Sequence, residues 1–133
     1  MKTAPFLLFV SLLASCAPAN LRPVLTAPAQ QKQPDPRVIL DESVRGNLRI
    51  LAVRATTGSD GLLKFQVDVQ KIGPAARTFL YQVDWFDRDG VKMDLGGDPL
   101  PWTLLGNESD ALTMTAPSPL AKDFHLTFRL RPK

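Results

Sequence analysis

The sequence predicts an all-β domain, a β-sandwich of about seven short strands, behind a cleaved leader and a disordered, proline-rich tether. Three observations predict it. Two well-separated segments, 63–70 and 124–131, alternate apolar and polar residues with a period of two. Clusters of turn residues separate the apolar runs at short intervals, as in small sandwiches. No stretch of ten or more residues in the body of the chain carries a helical period. At 133 residues, 44% hydrophobic and 22% charged, the chain has room for one packed domain.

The N-terminus comes first. Residues 1–16 read MKTAPFLLFVSLLASC: a positive start at Lys2, then nine largely apolar residues from Phe6 to Ala14. A spanning helix needs about 20 residues, so length and flanks match a secretory signal. Leu13-Ala14-Ser15-Cys16 resembles the bacterial lipobox, which implies cleavage between Ser15 and Cys16 and lipidation of Cys16. The thiol is the nucleophile that takes a diacylglyceryl group, and the small residues before it let the extended backbone enter the peptidase. Each buried CH₂ contributes about 0.8 kcal/mol, so several long chains on one residue anchor it for good. Ala17 follows where an inner-membrane protein of enteric bacteria would carry Asp, which by resemblance implies the outer membrane and a periplasm-facing domain.

Residues 17–36, APANLRPVLTAPAQQKQPDP, hold Pro18, Pro23, Pro28, Pro34 and Pro36. Proline blocks helix and central-strand pairing, so this segment is expected to be a linker. At about 3.1 Å per residue its extended limit is roughly 60 Å. It is either a spacer that lets the domain search away from the membrane or an unselected terminus. The expected division is therefore 1–15 signal peptide, 16–36 lipidated cysteine and linker, and 37–133 sandwich.

The domain then reads as strands in order. Val38 to Leu40 is a short edge strand, and Leu48 to Ala55 a longer one. Thr57-Gly58-Ser59-Asp60-Gly61 turns the chain into the first clean alternation, in which Leu63, Phe65, Val67 and Val69 share a face. After Gly73-Pro74, the run Phe79 to Phe86 places Phe79, Tyr81, Val83 and Trp85 on one face. Asp87-Arg88-Asp89-Gly90 makes a hairpin with Gly90 at a positive-φ position. Val91–Met93, Trp102–Leu105 and Ala111–Thr115 are weaker strands, and Ala116–Lys122 has room for one helical turn. Phe124, Leu126, Phe128 and Leu130 close the domain with the second clean alternation.

The run Tyr81-Gln82-Val83-Asp84-Trp85-Phe86-Asp87-Arg88-Asp89-Gly90 resembles the Y-x-x-x-W-[FY]-D-x-x-G core of the YcfL family of small proteobacterial lipoproteins. That family's second Trp is matched by Trp102, its Ala-Pro-x-Pro-x-A segment by residues 116–121, and its strand before the motif by residues 65–71. The likeness spans about residues 40–131, with the lipobox besides. It implies an immunoglobulin-like sandwich and no assigned activity.

The chemistry-bearing residues are few. Cys16 is the sole cysteine, so the domain holds neither a disulfide nor a Cys-rich metal site. The formal charge is +3, but residues 37–133 carry 13 Lys/Arg against 12 Asp/Glu, a net of +1, without a basic run suited to nucleic acid. Asp87, Asp89 and Gly90 are reminiscent of a calcium loop, yet with Gly90 sixth the first and twelfth positions are Trp85 and Gly96, neither a ligand. Turn chemistry accounts for Asp87 and Asp89, and Asp84 falls on the face opposite Trp85. His125, the only histidine, alternates onto the polar side of the last strand. No G-x-S-x-G elbow, P-loop or dinucleotide fingerprint occurs. Trp85 and Trp102 are either core residues or an exposed aromatic platform. Arg49, Arg54, Arg129 and Arg131 alternate outward on two strands. If those strands pair, they form a basic face for peptidoglycan or anionic lipid headgroups; otherwise they are solvated surface.

The expectation is a non-enzymatic, periplasm-facing outer-membrane lipoprotein with no cofactor and no metal. Its partner would be an unidentified envelope protein taken at a sheet edge. The alternative is peptidoglycan or lipid on the arginine face, with Trp102.

Overall fold

A computed structural model describes residues 35–132. The leader, Ser15, Cys16 and most of the linker lie outside the described residues. Eight strands follow one another: β1 (Val38–Leu40), β2 (Leu48–Thr57), β3 (Leu63–Lys71), β4 (Arg77–Phe86), β5 (Lys92–Met93), β6 (Leu100–Leu104), β7 (Ser109–Thr115) and β8 (Asp123–Leu130). One sheet has the order β1-β8-β4-β5, with β6 also on β4; the other is β2-β3-β7. No helix occurs among the described residues.

Alternation builds the interior. Along β3 every second side chain, from Leu63 through Phe65, Val67 and Val69 to Lys71, is buried. Phe79, Val83 and Trp85 of β4 and Phe124, Leu126 and Phe128 of β8 supply the opposing wall. Phe65 reaches across the sandwich to stack on Phe124 at 3.9 Å between ring centroids, with Trp85 tilted against it at 5.7 Å. Burying a side chain of this kind stabilises by about 1.5–3 kcal/mol, so this aromatic group holds the two sheets together.

The neighbour order β2-β3-β7 opposite β4-β8 is that of strands A-B-E and C-F in an immunoglobulin-like sandwich. Two departures matter. The place beyond β8 is taken by β1, which runs parallel to it with Val38 opposite Leu126. Beside β7, where such a sheet carries strand D, no strand lies among the described residues.

The count is eight strands because two weak segments pair end to end along one edge of β4. β6 covers Arg77 to Tyr81, and β5 covers Trp85 and Phe86. Gly90, at φ +77°, closes the β4–β5 hairpin as the turn chemistry requires. Residues 116–122 form no helix: Ala121 N donates to Ser118 O in a single turn, and Ala116 and Ala121 are buried against the core.

One core position departs from the apolar pattern. Lys71 continues the inward row of β3 and is 2% exposed. Its ammonium donates to Ile72 O at 2.5 Å and Gly73 O at 3.0 Å. This satisfies part of its hydrogen-bonding need where the β3–β4 connection meets the β6–β7 connection. Gly73 N donates to Asn107 Oδ1 (3.1 Å), Asn107 N to Gly73 O (3.0 Å) and Lys71 N to Glu108 O (2.8 Å).

Candidate functional site

The sandwich is open along one side. A cleft of about 210 Å³ is walled by Tyr81, Val83 and Trp85 of β4 on one sheet, and by Met114 and Thr115 of β7 on the other. Leu95, Asp98, Leu100 and Pro117 also line it. Sites for cofactors or drug-sized ligands measure about 300–1,000 Å³, so this one suits one or two side chains. The segment between β5 and β6 crosses the gap in the β4 edge. Gly96 passes so near that a Cβ there would stand 3.1 Å from Val83 O.

Backbone polarity gives the cleft its second feature. Ala116 N donates to Leu63 O (2.7 Å), and Lys71 N donates to Glu108 O (2.8 Å). Antiparallel ladders alternate, so residues 110, 112 and 114 point their backbone groups at β3, and 109, 111, 113 and 115 point theirs away. The Asp110 carboxylate accepts from Ala111 N at 2.8 Å. Thr113 and Thr115 thus present amides and carbonyls at an edge with no strand opposite it among the described residues, and Thr115 lines the cleft. The other edges are blunted in the usual ways. β1 has three residues, β2 is interrupted by an irregularity between Ile50 and Ala52, β5 has two residues and β6 carries Pro101.

The residues singled out in the sequence fall elsewhere. Trp102 is half-buried on β6, edge-on to Tyr81 at 6.4 Å and tilted against Phe128 at 6.2 Å, so it packs on the core margin. Trp85 is 3% exposed and belongs to the core. The four-arginine face is not assembled. Arg49 and Arg54 lie on β2 and Arg129 on β8, with Arg131 just beyond it, and β2 and β8 belong to different sheets. Strand pairing depends on contacts remote in sequence, so the alternation that aimed each arginine outward did not fix its sheet. Arg54 is further engaged by Asp68 across the β2–β3 ladder.

The remaining polar groups have structural partners. His125 lies half-buried against the Phe86 ring, 4.5 Å between centroids. Asp84 pairs with Lys92 at 2.9 Å. Asp87 accepts from Asp89 N and Val91 N at 2.9 Å each, fixing the hairpin. Asp41 is held below the usual carboxylate range, first by hydrogen bonding from the Ser43 hydroxyl and backbone, and Asp60 likewise, first by Leu62 N–H. Arg37 is raised above its ordinary value by its hydrogen bond to Asp35, and its guanidinium sits 5.0 Å above the Phe124 ring. No group of three His, Cys, Asp or Glu among the described residues is placed to hold a metal ion.

Sequence reasoning missed Asp98, Leu95 and Met114 as partners in one cleft. The only local signal was Gly96-Gly97-Asp98-Pro99, a segment too rich in glycine and proline to be a strand.

Fold and cleft together define a small immunoglobulin-like sandwich module with one open side. The chain belongs to the family described as "Protein of unknown function (DUF1425)", whose model matches residues 36–130. A solved structure titled "Crystal structure of Campylobacter jejuni cj0090" is similar, at 25% identity and a TM-score of 0.63, over 73% of this chain and 100% of that one. A DUF1425 family member from Shewanella sp. pv-4 shares the fold at 21% identity and a TM-score of 0.57, over 65% of this chain and 80% of that one. No curated protein matches the chain.

Proposed function

We propose that the protein is a non-enzymatic lipoprotein of the YcfL type, anchored through Cys16 in the outer membrane, with its sandwich facing the periplasm and engaging another envelope protein. The observation that carries the interaction reading is the open side of the sandwich, where the free edge of β7 meets an apolar wall. An unpaired edge is a template for another chain, and proteins commonly protect such edges, as this one does elsewhere. The lipobox at 13–16 and the proline-rich linker support the anchored, reaching geometry.

The test is cross-linking of intact cells expressing the protein at native level, followed by identification of what copurifies. A Cys16→Ser form exported with a cleavable signal is the control. A recurrent envelope protein, reduced when the β7 edge is altered, is the expected result. Recovery of peptidoglycan or lipid with no protein enriched refutes the reading.

A further inference from the structure

We infer that the open side of the sandwich takes an extended peptide segment of a partner protein as an added strand beside β7. The segment seats an apolar side chain in the cleft and a Lys or Arg two positions along, against Asp98. This rests on the interaction reading above and names the chemistry of the partner. Three features converge. The first is the strand position beside β7, vacant among the described residues, where Thr113 and Thr115 turn their backbone groups outward. Adding a strand there satisfies those groups, and main-chain hydrogen bonds of this type supply affinity without sequence preference.

The second feature is the wall against which the inward side chains of such a strand would rest. Tyr81, Leu95 and Met114, backed by the buried Trp85, form the apolar lining of a cleft whose volume of about 210 Å³ fits one or two side chains. Leu100, at its margin, is 48% exposed. The third is charge. Asp98 lines the cleft, and no salt bridge engages it or Asp94 among the described residues, whereas Asp84 already has Lys92. An uncompensated carboxylate beside an apolar seat selects a cationic neighbour and rejects an anionic one. In a strand, side chains two apart share a face, which fixes the spacing of the apolar and basic positions.

The probe is a nine-residue peptide of Thr and Val bearing Leu and, two positions on, Lys on one face. A twin has Glu in place of Lys, and a third version is N-methylated at alternate amides. Each is titrated by fluorescence anisotropy against the mature chain carrying Cys16→Ser, with amide exchange followed by NMR. The Lys peptide is expected to bind and to protect Thr113 and Thr115. The Glu twin should bind at least about threefold more weakly at low salt, the exposed ion pair being modest. Asp98→Asn should bring the two within about twofold, and N-methylation should cost at least about tenfold, several backbone bonds being lost. Absence of saturable binding, equal binding of the Lys and Glu peptides, or indifference to N-methylation overturns the inference. A photo-cross-linking residue at position 113 or at position 49 in cells distinguishes the two levels. Capture of an envelope protein at 49 and not at 113 overturns the added strand and leaves the interaction reading standing, whereas capture at neither overturns both. Capture at 113 of a second copy, or of residues 17–34 of the same chain, also overturns it.

Discussion

Gly106→Ala tests the packing that holds the two connections at the Lys71 end of the sandwich together. A Cβ at position 106 would stand 1.9 Å from Pro74 O and 2.3 Å from its carbonyl carbon, where real Cβ contacts do not fall below 3.0 Å. The two backbones must therefore part by about 1.1 Å. Asn107 N–Gly73 O, at 3.0 Å, would open to roughly 4.1 Å, beyond hydrogen-bonding range. The reciprocal bond from Gly73 N to Asn107 Oδ1 would go with it. Each bond contributes about 1 kcal/mol net, and overpacking a tight site adds about 1–3 kcal/mol. Reduced freedom of the unfolded chain returns about 0.4–1 kcal/mol. The net expectation is a loss of about 3 kcal/mol, a large share of a total near 5–15 kcal/mol. Urea unfolding of the mature chain carrying Cys16→Ser, followed by Trp fluorescence, measures it. Gly97→Ala, with nothing within 4 Å, is the control and should stay within about 0.5 kcal/mol, the range of an unremarkable surface change. A Gly106→Ala protein within about 1 kcal/mol of the parent, with Gly97→Ala equally silent, would refute the steric argument.

Three further outcomes are expected. Cys16→Ala should abolish incorporation of labelled fatty acid, and the same substitution behind a cleavable export signal should move the protein from the membrane to the soluble periplasmic fraction; persistence of the label would mean another attachment point. Lys71→Met keeps the apolar stem and removes a buried charge at the expense of two hydrogen bonds, so it should lie within about 1 kcal/mol of the parent, whereas Lys71→Ala should lose about 3 kcal/mol by adding a cavity. Chemical denaturation ranks the two, and a loss for Lys71→Met as large as that for Lys71→Ala would show that the ammonium itself holds the connections. Asp41 and Asp60 have depressed folded-state values, so their stabilisation is present above the ordinary Asp value near 3.9 and is lost as the pH falls through the folded values. Thermal midpoints should be flat from neutrality to about pH 5 and decline below about 4, and the double variant Asp41→Asn, Asp60→Asn should decline less steeply.

Local pattern carries much of this fold because antiparallel sheets with one wet face imprint a period of two on the chain. That is why β3, β4 and β8, which bury one face, stand out, and why the three-residue β1 is visible as a strand but not in its parallel pairing with β8. β6 illustrates the opposite case. Its burial runs exposed, exposed, half-buried, exposed, buried, so its alternation is blurred by lying at an edge. Lys71 was available to pattern reasoning, since it falls two residues after Val69 on the same face. The carbonyls of Ile72 and Gly73, which accept from its ammonium, are what let a charge occupy that inward position.

The cleft was hidden for a different reason. Its walls come from β4, β7 and the segment between β5 and β6, and nothing local to Tyr81, Asp98 or Met114 says that they meet. The arginines went astray for the same cause: alternation assigns a side chain to a face, whereas only long-range pairing assigns the strand to a sheet. Yet one consequence of pairing is simple to state once the order is known. A strand with neighbours on one side only must present unpaired backbone groups on the other, and four of the five edge strands among the described residues are short, interrupted or proline-bearing. β7 is seven residues long, free of proline and, among the described residues, guarded only by the Asp110 carboxylate at Ala111 N. An edge left open beside an apolar wall, in a sandwich that protects its other edges, is better explained by use than by neglect, and amide exchange at Thr113 and Thr115 is where that use would register.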